Sequence, residues 1–453
     1  MDELVLSLGI GLYLYLVRRC GLMSPAAAFS VVSLMSMVVF YVIAVRGVSP
    51  DAIQHHWQVK LDYSGTASSV MSIYLFFLVL PVLATRPWSR RKQSAQRHAF
   101  PTPIIRGIRL SVLRRYLSSR PAVMFLALAV GACVVHFVDV DFGMVLSHYE
   151  YLITRHPDNV GLSNPVTGFI HRALGTLSCA CLCLGVLYYR LRLGVFSTVA
   201  FAVASYCALF SLGGASRWIA VQCTVTALML QLTAPKKVSR GAWIFGILAF
   251  VSYALVIHAR RQQEIGLLPI LNSVLSGEFF VDDFLAILAL SLFGGGFVLA
   301  ETLDRVGLAY PIRYKLLSFA PTISMLDGFD AIRHYEHRVN LTTPFSSFAE
   351  IYHFGAIYSV AYLAFLFLTL RVLTRFWQRT RNAGWAFLIL APVYLAFLNI
   401  HLYPIRNSFR LILWPVVIAV WMNRRFRVRE RRARSVSLPV VEVEGRIAVS
   451  RSS

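Results

Sequence analysis

The stretch RPWSRRKQSAQRHAFPTPIIRGIRLSVLRRYLSSR, residues 86–120, runs straight into PAVMFLALAVGACVVHFVDVD, residues 121–141. The first segment carries Arg86, Arg90, Arg91, Lys92, Arg97, Arg106, Arg109, Arg114, Arg115 and Arg120 and no acidic residue. The second has no Asp, Glu, Lys or Arg before Asp139. A bilayer core needs about 20 mostly apolar residues per helix, and short loops rich in Lys and Arg stay cytoplasmic. The junction therefore reads as a basic cytoplasmic loop entering a transmembrane helix. Part of that loop suits an amphipathic helix lying on anionic lipid.

Outward from this junction the pattern repeats. Apolar runs of comparable length stand near 3–17, 23–45, 67–84, 121–141, 166–188, 193–212, 218–234, 241–258, 349–370, 384–403 and 409–422. The expected fold is all-α, a polytopic transmembrane bundle of about 11 spans. Basic clusters mark alternate connections: Arg18 and Arg19, the 86–120 loop, Arg190 and Arg192, Lys236, Lys237 and Arg240, then Arg375, Arg379 and Arg381. The tail adds Arg424, Arg425, Arg427, Arg429, Arg431, Arg432 and Arg434. This alternation fits an amino terminus outside and a carboxyl terminus in the cytoplasm. Met1-Asp2-Glu3 lacks the basic start of a signal peptide, so the first run is expected as a span with its acidic end outside.

Composition agrees. The chain of 453 residues is 57% hydrophobic and 14% charged, with mean hydropathy +0.64. A soluble domain carries roughly a quarter of its residues as charges, so much of this surface must be solvated by lipid. The net charge of +23 would elsewhere suggest nucleic acid; here its placement in short loops makes it an orienting signal, and no nucleic-acid partner is expected. The seven cysteines lie in or beside apolar runs. Cys179, Cys181 and Cys183 are spaced by two, which on a helix points them to different faces, so they read as small core residues rather than metal ligands.

Phe284–Ala300 is apolar enough to be another span, yet a further crossing would place the arginine-rich tail outside. A re-entrant or interfacial segment is expected, with Gly294-Gly295-Gly296 breaking the helix midway. The expected organisation is eight spans over 1–258, an extracytoplasmic loop over 259–348, three spans over 349–423 and a basic cytoplasmic tail over 424–453.

With this orientation a few arginines sit on the face where positive charge is disfavoured. Arg217 follows the turn Gly213-Gly214-Ala215-Ser216, Arg260 and Arg261 close the eighth run, and Arg406 and Arg410 flank the outer end of the last. A helix amino terminus offers free N–H groups and a positive dipole end, and guanidinium forks match phosphate oxygens. These arginines read as a pyrophosphate or glycan-binding set; lipid snorkelling or pairing with acids is the alternative. Glu350 opens the ninth apolar run in Phe348-Ala349-Glu350-Ile351-Tyr352-His353-Phe354-Gly355, with His353 one turn on. A desolvated carboxyl is tuned toward general-base work, whereas an ion pair holding helices together is the structural alternative. The segment Arg333-His334-Tyr335-Glu336-His337-Arg338 suits sugar or phosphate contacts without specificity. No Walker A loop, dinucleotide fingerprint or nucleophile elbow occurs, and Asp282-Asp283 leaves a metal-dependent transferase open.

Thr343-Pro344-Phe345-Ser346-Ser347-Phe348-Ala349-Glu350-Ile351-Tyr352-His353-Phe354-Gly355 resembles the E-x-x-x-x-G segment opening a late span in Wzy-type O-antigen and exopolysaccharide repeat-unit polymerases. Gly214-Ala215-Ser216-Arg217 resembles their G-x-R turn, and a long outer loop with arginines at its edge completes the pattern. His353 stands where many relatives carry a smaller polar residue. The resemblance implies a GT-C-like membrane glycosyltransferase in the bacterial inner membrane. It would transfer a glycan from undecaprenyl pyrophosphate onto a new lipid-linked repeat unit, with no metal or cofactor. Arg217 and Arg410 would hold the donor, Arg260 and Arg261 donor or acceptor, and Glu350 or His353 would take the proton. The implied partners are the undecaprenyl-pyrophosphate-linked oligosaccharide, membrane lipids and a chain-length regulator. An O-antigen ligase has a similar layout; a transporter or flippase of lipid-linked glycan would instead show repeat symmetry and mid-membrane charge.

Overall fold

The computed structural model describes residues 2–22, 24–48, 63, 65–85, 120–147, 164–234, 239–260, 265–277, 284–305, 307–322, 328–339, 343–380 and 383–436. Among these, regular structure is helical apart from isolated bridge residues, Ile265 and the antiparallel pair Arg338 and Pro344. The helices are α1 (Asp2–Cys20), α2 (Pro25–Phe40, prolonged as a π-helical turn Tyr41–Val45), α3 (Ala67–Thr85), α4 (Arg120–Asp139) and α5 (Phe142–Leu146). Next come α6 (Pro165–Arg190), α7 (Gly194–Gly213), α8 (Trp218–Leu232), α9 (Arg240–Ala259) and α10 (Leu267–Ser276). Then follow α11 (Phe284–Phe293), α12 (Gly295–Asp304), α13 (Ile312–Ser318), a 3-10 turn (Asp330–Tyr335) and α14 (Ser347–Phe354). The chain ends in α15 (Ala356–Arg379), α16 (Ala383–Leu402) and α17 (Ile405–Val436).

Local chemistry sets several boundaries. The Ser24 hydroxyl accepts from Ala27 N at 3.2 Å with Pro25 behind it, and Asn164 accepts from Val166 N at 2.9 Å ahead of Pro165. Both are side-chain caps followed by a proline whose missing N–H costs nothing in the first turn.

Among the described residues, eight helices are long and apolar enough to cross a membrane: Pro25–Val45, Ala67–Thr85, Pro121–Asp139, Pro165–Arg190, Gly194–Gly213, Arg240–Ala259, Ala356–Arg379 and Ile405–Arg424. The protein is a polytopic helical membrane protein. The other three expected spans coincide with α1, which carries charges at both ends, and with α8 and α16, whose apolar stretches Trp218–Gln231 and Ile389–Leu402 are shorter. Large apolar side chains face outward as lipid requires: on α9 Trp243, Ile244, Ile247 and Phe250 are exposed, and Val138 on α4 is 81% exposed.

One boundary differs from expectation. The run 349–370 is not one helix: α14 ends at Gly355, which has φ +103°, and the spanning helix starts at Ala356. The hydropathy is continuous across this break, so only the backbone reveals it. Glu350 and His353 therefore ride on a separate two-turn helix.

The helices pack in two groups. In one, α1–α3 lie against α15–α17, and α11, α12 and α14 insert among them around a core that includes Phe29, Phe40, Tyr74, Phe297, Phe345 and Phe397. In the other, α4, α6 and α7 pack together with α8, which carries α9 on its far side. The segment 284–304 is interrupted at Gly294. A Cβ on Gly295 would fall 2.7 Å from His401 O, and one on Gly296 would fall 2.6 Å from Phe40 Cβ. The glycine triplet thus both breaks the helix and lets α12 press onto α2 and α16. The basic loop over 86–119 and the tail after 436 lie outside the described residues.

Candidate functional site

The turn Leu402-Tyr403-Pro404-Ile405 joins α16 to α17. The first N–H groups of a helix lack internal partners, and here Ile405 N donates to Glu350 Oε2 at 2.8 Å. Tyr314 on α13 donates its hydroxyl to the other carboxyl oxygen at 2.7 Å. Glu350 is fully buried, so one carboxyl ties α13, α14 and the amino end of α17 together. Burial pushes the Glu350 carboxyl up to about 8, against the pull of the two hydrogen bonds from Tyr314 and Ile405. Burial and the neighbouring carboxylate in turn hold the Tyr314 hydroxyl above its ordinary value.

Arg406, the next residue, is also buried, at 2% exposure. It donates to Leu317 O and, at 3.3 Å, to Thr322 O, and lies 4.2 Å from the Phe329 ring centroid. Those carbonyls are at and just after the carboxyl end of α13, where a cation is favoured. On the other side of the turn, the Tyr403 hydroxyl accepts from Arg217. The Arg217 guanidinium lies 5.6 Å from the Tyr253 ring and 5.7 Å from the Tyr403 ring, a cation between two aromatic neighbours. Arg217 is the N-cap residue of α8. Arg260, at the end of α9, donates from Nε to Ala215 O at 2.9 Å and braces the turn that carries Arg217. Ser347 fastens α14 to the same place, bonding Tyr403 O at 2.9 Å and Ser408 Oγ at 2.9 Å.

Arg217, Glu350 and Arg406, 189 residues apart at the extremes, thus gather around one turn, and Arg260 braces the neighbouring turn that carries Arg217. Arg410 stands one helical turn beyond Arg406 on α17, half-buried. Arg261 and Asp282-Asp283 lie outside the described residues.

No protein-family model, no curated protein and no solved structure matches this chain. What the site can do must come from its own geometry.

His353 does not share the environment of Glu350. Its ring stacks on Phe345 at 5.8 Å and 21°, and burial and the nearby His337 hold it below the ordinary histidine value, opposed by the Thr302 backbone. The partners of Glu350 are on α13 and α17; those of His353 are on α12 and the strand-like segment before α14. Of the other aromatics between 259 and 348, His334 is exposed beside Tyr335, and His337 meets the Tyr310 ring edge-on at 4.7 Å.

The tyrosines were not singled out by sequence. Tyr314, Tyr253 and Tyr403 each place a hydroxyl or a ring against a residue of the site. The only local signal was Tyr403-Pro404, a proline at the end of an apolar run, which marks a helix boundary. Chemically, the half-buried guanidinium groups of Arg217 and Arg260 at the head of α8 suit an anion. The buried pair Glu350 and Arg406 sets the shape of the turn beside them.

Proposed function

We propose that this protein is a membrane glycosyltransferase that polymerises polyprenyl-pyrophosphate-linked oligosaccharide repeat units at the outer face of the bacterial inner membrane. The observation that carries the reading is the convergence of Arg217 and Glu350 on the Tyr403–Arg406 turn, from segments far apart in sequence, with Arg260 bracing the turn that carries Arg217. In this reading the spans number eleven, with α1, α8 and α16 crossing as well, the amino terminus outside and the carboxyl terminus in the cytoplasm. Contacts between helix ends support that alternation. Glu3 at the start of α1 pairs with Arg46 after α2, and Arg190 at the end of α6 bonds Thr233 at the end of α8 at 3.3 Å.

Arg217, Arg260 and Arg410 hold the donor pyrophosphate and stabilise the charge that grows as it leaves. Arg406 positions the turn by holding α13. The proton of the attacking sugar hydroxyl goes to Glu350 or His353. Glu350 bonds the turn that also holds Arg217 through Tyr403, and His353 has the greater exposure. The polar residues of this site gather at helix ends rather than mid-span, which favours transfer chemistry over transport.

The test is a deletion strain complemented with wild type, Arg217→Ala, Arg410→Ala and Glu350→Gln, its surface and secreted glycans run on a gel. Collapse of long chains to single repeat units, unrescued by variants present at wild-type level, is the expected result. Loss of attachment with long lipid-linked chains retained would make the protein a ligase. Unchanged chain length would overturn both and leave a transporter of lipid-linked glycan.

A further inference from the structure

A second titratable cluster lies apart from the turn just described, within the group formed by α4, α6 and α7. His136 on α4 and His171 on α6 stack with ring centroids 5.2 Å apart and planes 17° from parallel. His136 Nε2 and His171 Nδ1 are 3.0 Å apart, and His136 Nδ1 lies 2.8 Å from the Tyr206 hydroxyl on α7. Phe210 of α7 closes the edge of both rings, 4.9 Å from His136 and 6.5 Å from His171. His136 has no exposure to solvent.

A nitrogen-to-nitrogen hydrogen bond needs one N–H and one lone pair. It survives only while at least one ring of the pair is neutral. When both rings carry two protons, the same contact sets N–H against N–H and stacks two cations. Imidazole in water protonates near pH 6.5, and placing a second positive charge on a buried pair takes a lower pH than that. The charged and titratable groups facing the pair are Asp139 from α4, Arg172 from α6 and Tyr206 from α7, with Cys133 of α4 and Cys207 of α7 next to Tyr206. One anion and one cation therefore flank two rings, which leaves a doubly charged pair without full compensation.

The pair also stands next to a mechanical element. Asp139 accepts from Thr167 of α6, and Asp141 caps α5 by accepting from Gly143 N at 2.8 Å. The short helix α5 then presses on two glycines. A Cβ at Gly213 would fall 2.8 Å from Val145 O, and one at Gly266 would fall 2.3 Å from Leu146 O. Gly213 ends α7 immediately before the turn that carries Arg217.

We propose that the His136–His171 stack is an acid-sensitive latch, which ties the carboxyl end of α4 and the α5 corner to α6 and α7 and releases them when both rings are protonated. The latch does not depend on the catalytic reading above, because its consequence is backbone opening and not glycan transfer.

Hydrogen exchange of the full-length protein in lipid nanodiscs at pH 7.5 and pH 4.0, corrected for chemical exchange rates, tests it. In the wild type, amides over 140–147 and 164–171 should lose protection at least tenfold at the lower pH. His171→Asn, whose side-chain oxygen replaces the Nδ1 acceptor but does not titrate, should keep the same protection at both. His136→Gln, with an amide near the Nε2 position, serves as the second variant should the first not fold. Equal wild-type protection at the two pH values would overturn the latch. So would an acid loss that persists unchanged in the folded variant.

Discussion

At the residue scale, Glu350 shows how one buried carboxyl can both organise and sensitise a site. Its folded value, about 8, lies above that of an exposed carboxyl. The folded state therefore holds a proton that the unfolded chain has released, and stability from this group is full at acid pH and declines as pH rises toward 8. Apparent melting temperature of the purified protein across pH 4 to 9 should fall along that range, and Glu350→Gln should flatten the fall. Tyr314→Phe leaves a carboxyl oxygen without its donor. That change should cost about 1–2 kcal/mol, the penalty of a buried acceptor left without its donor, and push the Glu350 transition to higher pH. Glu350 itself was legible in the sequence, since a lone acid at the start of an apolar run is costly unless used. Tyr314 was not, because its partner lies 36 residues away and nothing local distinguishes one loop tyrosine from another.

At the element scale, hydropathy located each long helix but not its interruptions. The positions of α2, α3, α4, α6, α7 and α9 follow from apolar length alone. The break at Gly355 escaped because a single glycine in an apolar run does not end a helix unless the backbone needs a positive φ there, as it does here. The glycine triplet was legible as a break, yet its tight packing on Phe40 and His401 depended on which helices would meet it. Two glycines give opposite predictions. Gly296→Val forces a side chain into space already held by Phe40 and should destabilise by about 1–3 kcal/mol. Gly246→Ala on α9 meets nothing within 4 Å and should stabilise by roughly 0.5–1 kcal/mol through helix propensity. Thermal unfolding midpoints of the two variants in one detergent would check both signs.

At the scale of the whole molecule, the site lies where the two helix groups meet, with Arg217 from one and Tyr403 from the other. The pattern of positive charge speaks only to orientation; it contains no information about which helices would be neighbours. The orientation proposed for the chain predicts that a reporter active only in the cytoplasm works when fused after residue 436 and fails when placed before residue 2. α17 itself is 32 residues long. At 1.5 Å per residue it spans about 48 Å, well beyond a hydrocarbon core of about 30 Å. Its basic end must therefore stand clear of the lipid interior.

The first group of helices has a further consequence, for biogenesis. Its core joins residues near the start of the chain, such as Phe29, Phe40 and Tyr74, to Phe397, Ile400 and Ile412 near the end. At about 10 residues per second a ribosome needs roughly half a minute to make the chain that separates them. Through that interval α1–α3 wait in the bilayer with their inward faces on lipid or on an insertion factor. A nascent chain stalled before α16 should thus be a ready substrate for membrane proteases, however well its second helix group has already assembled.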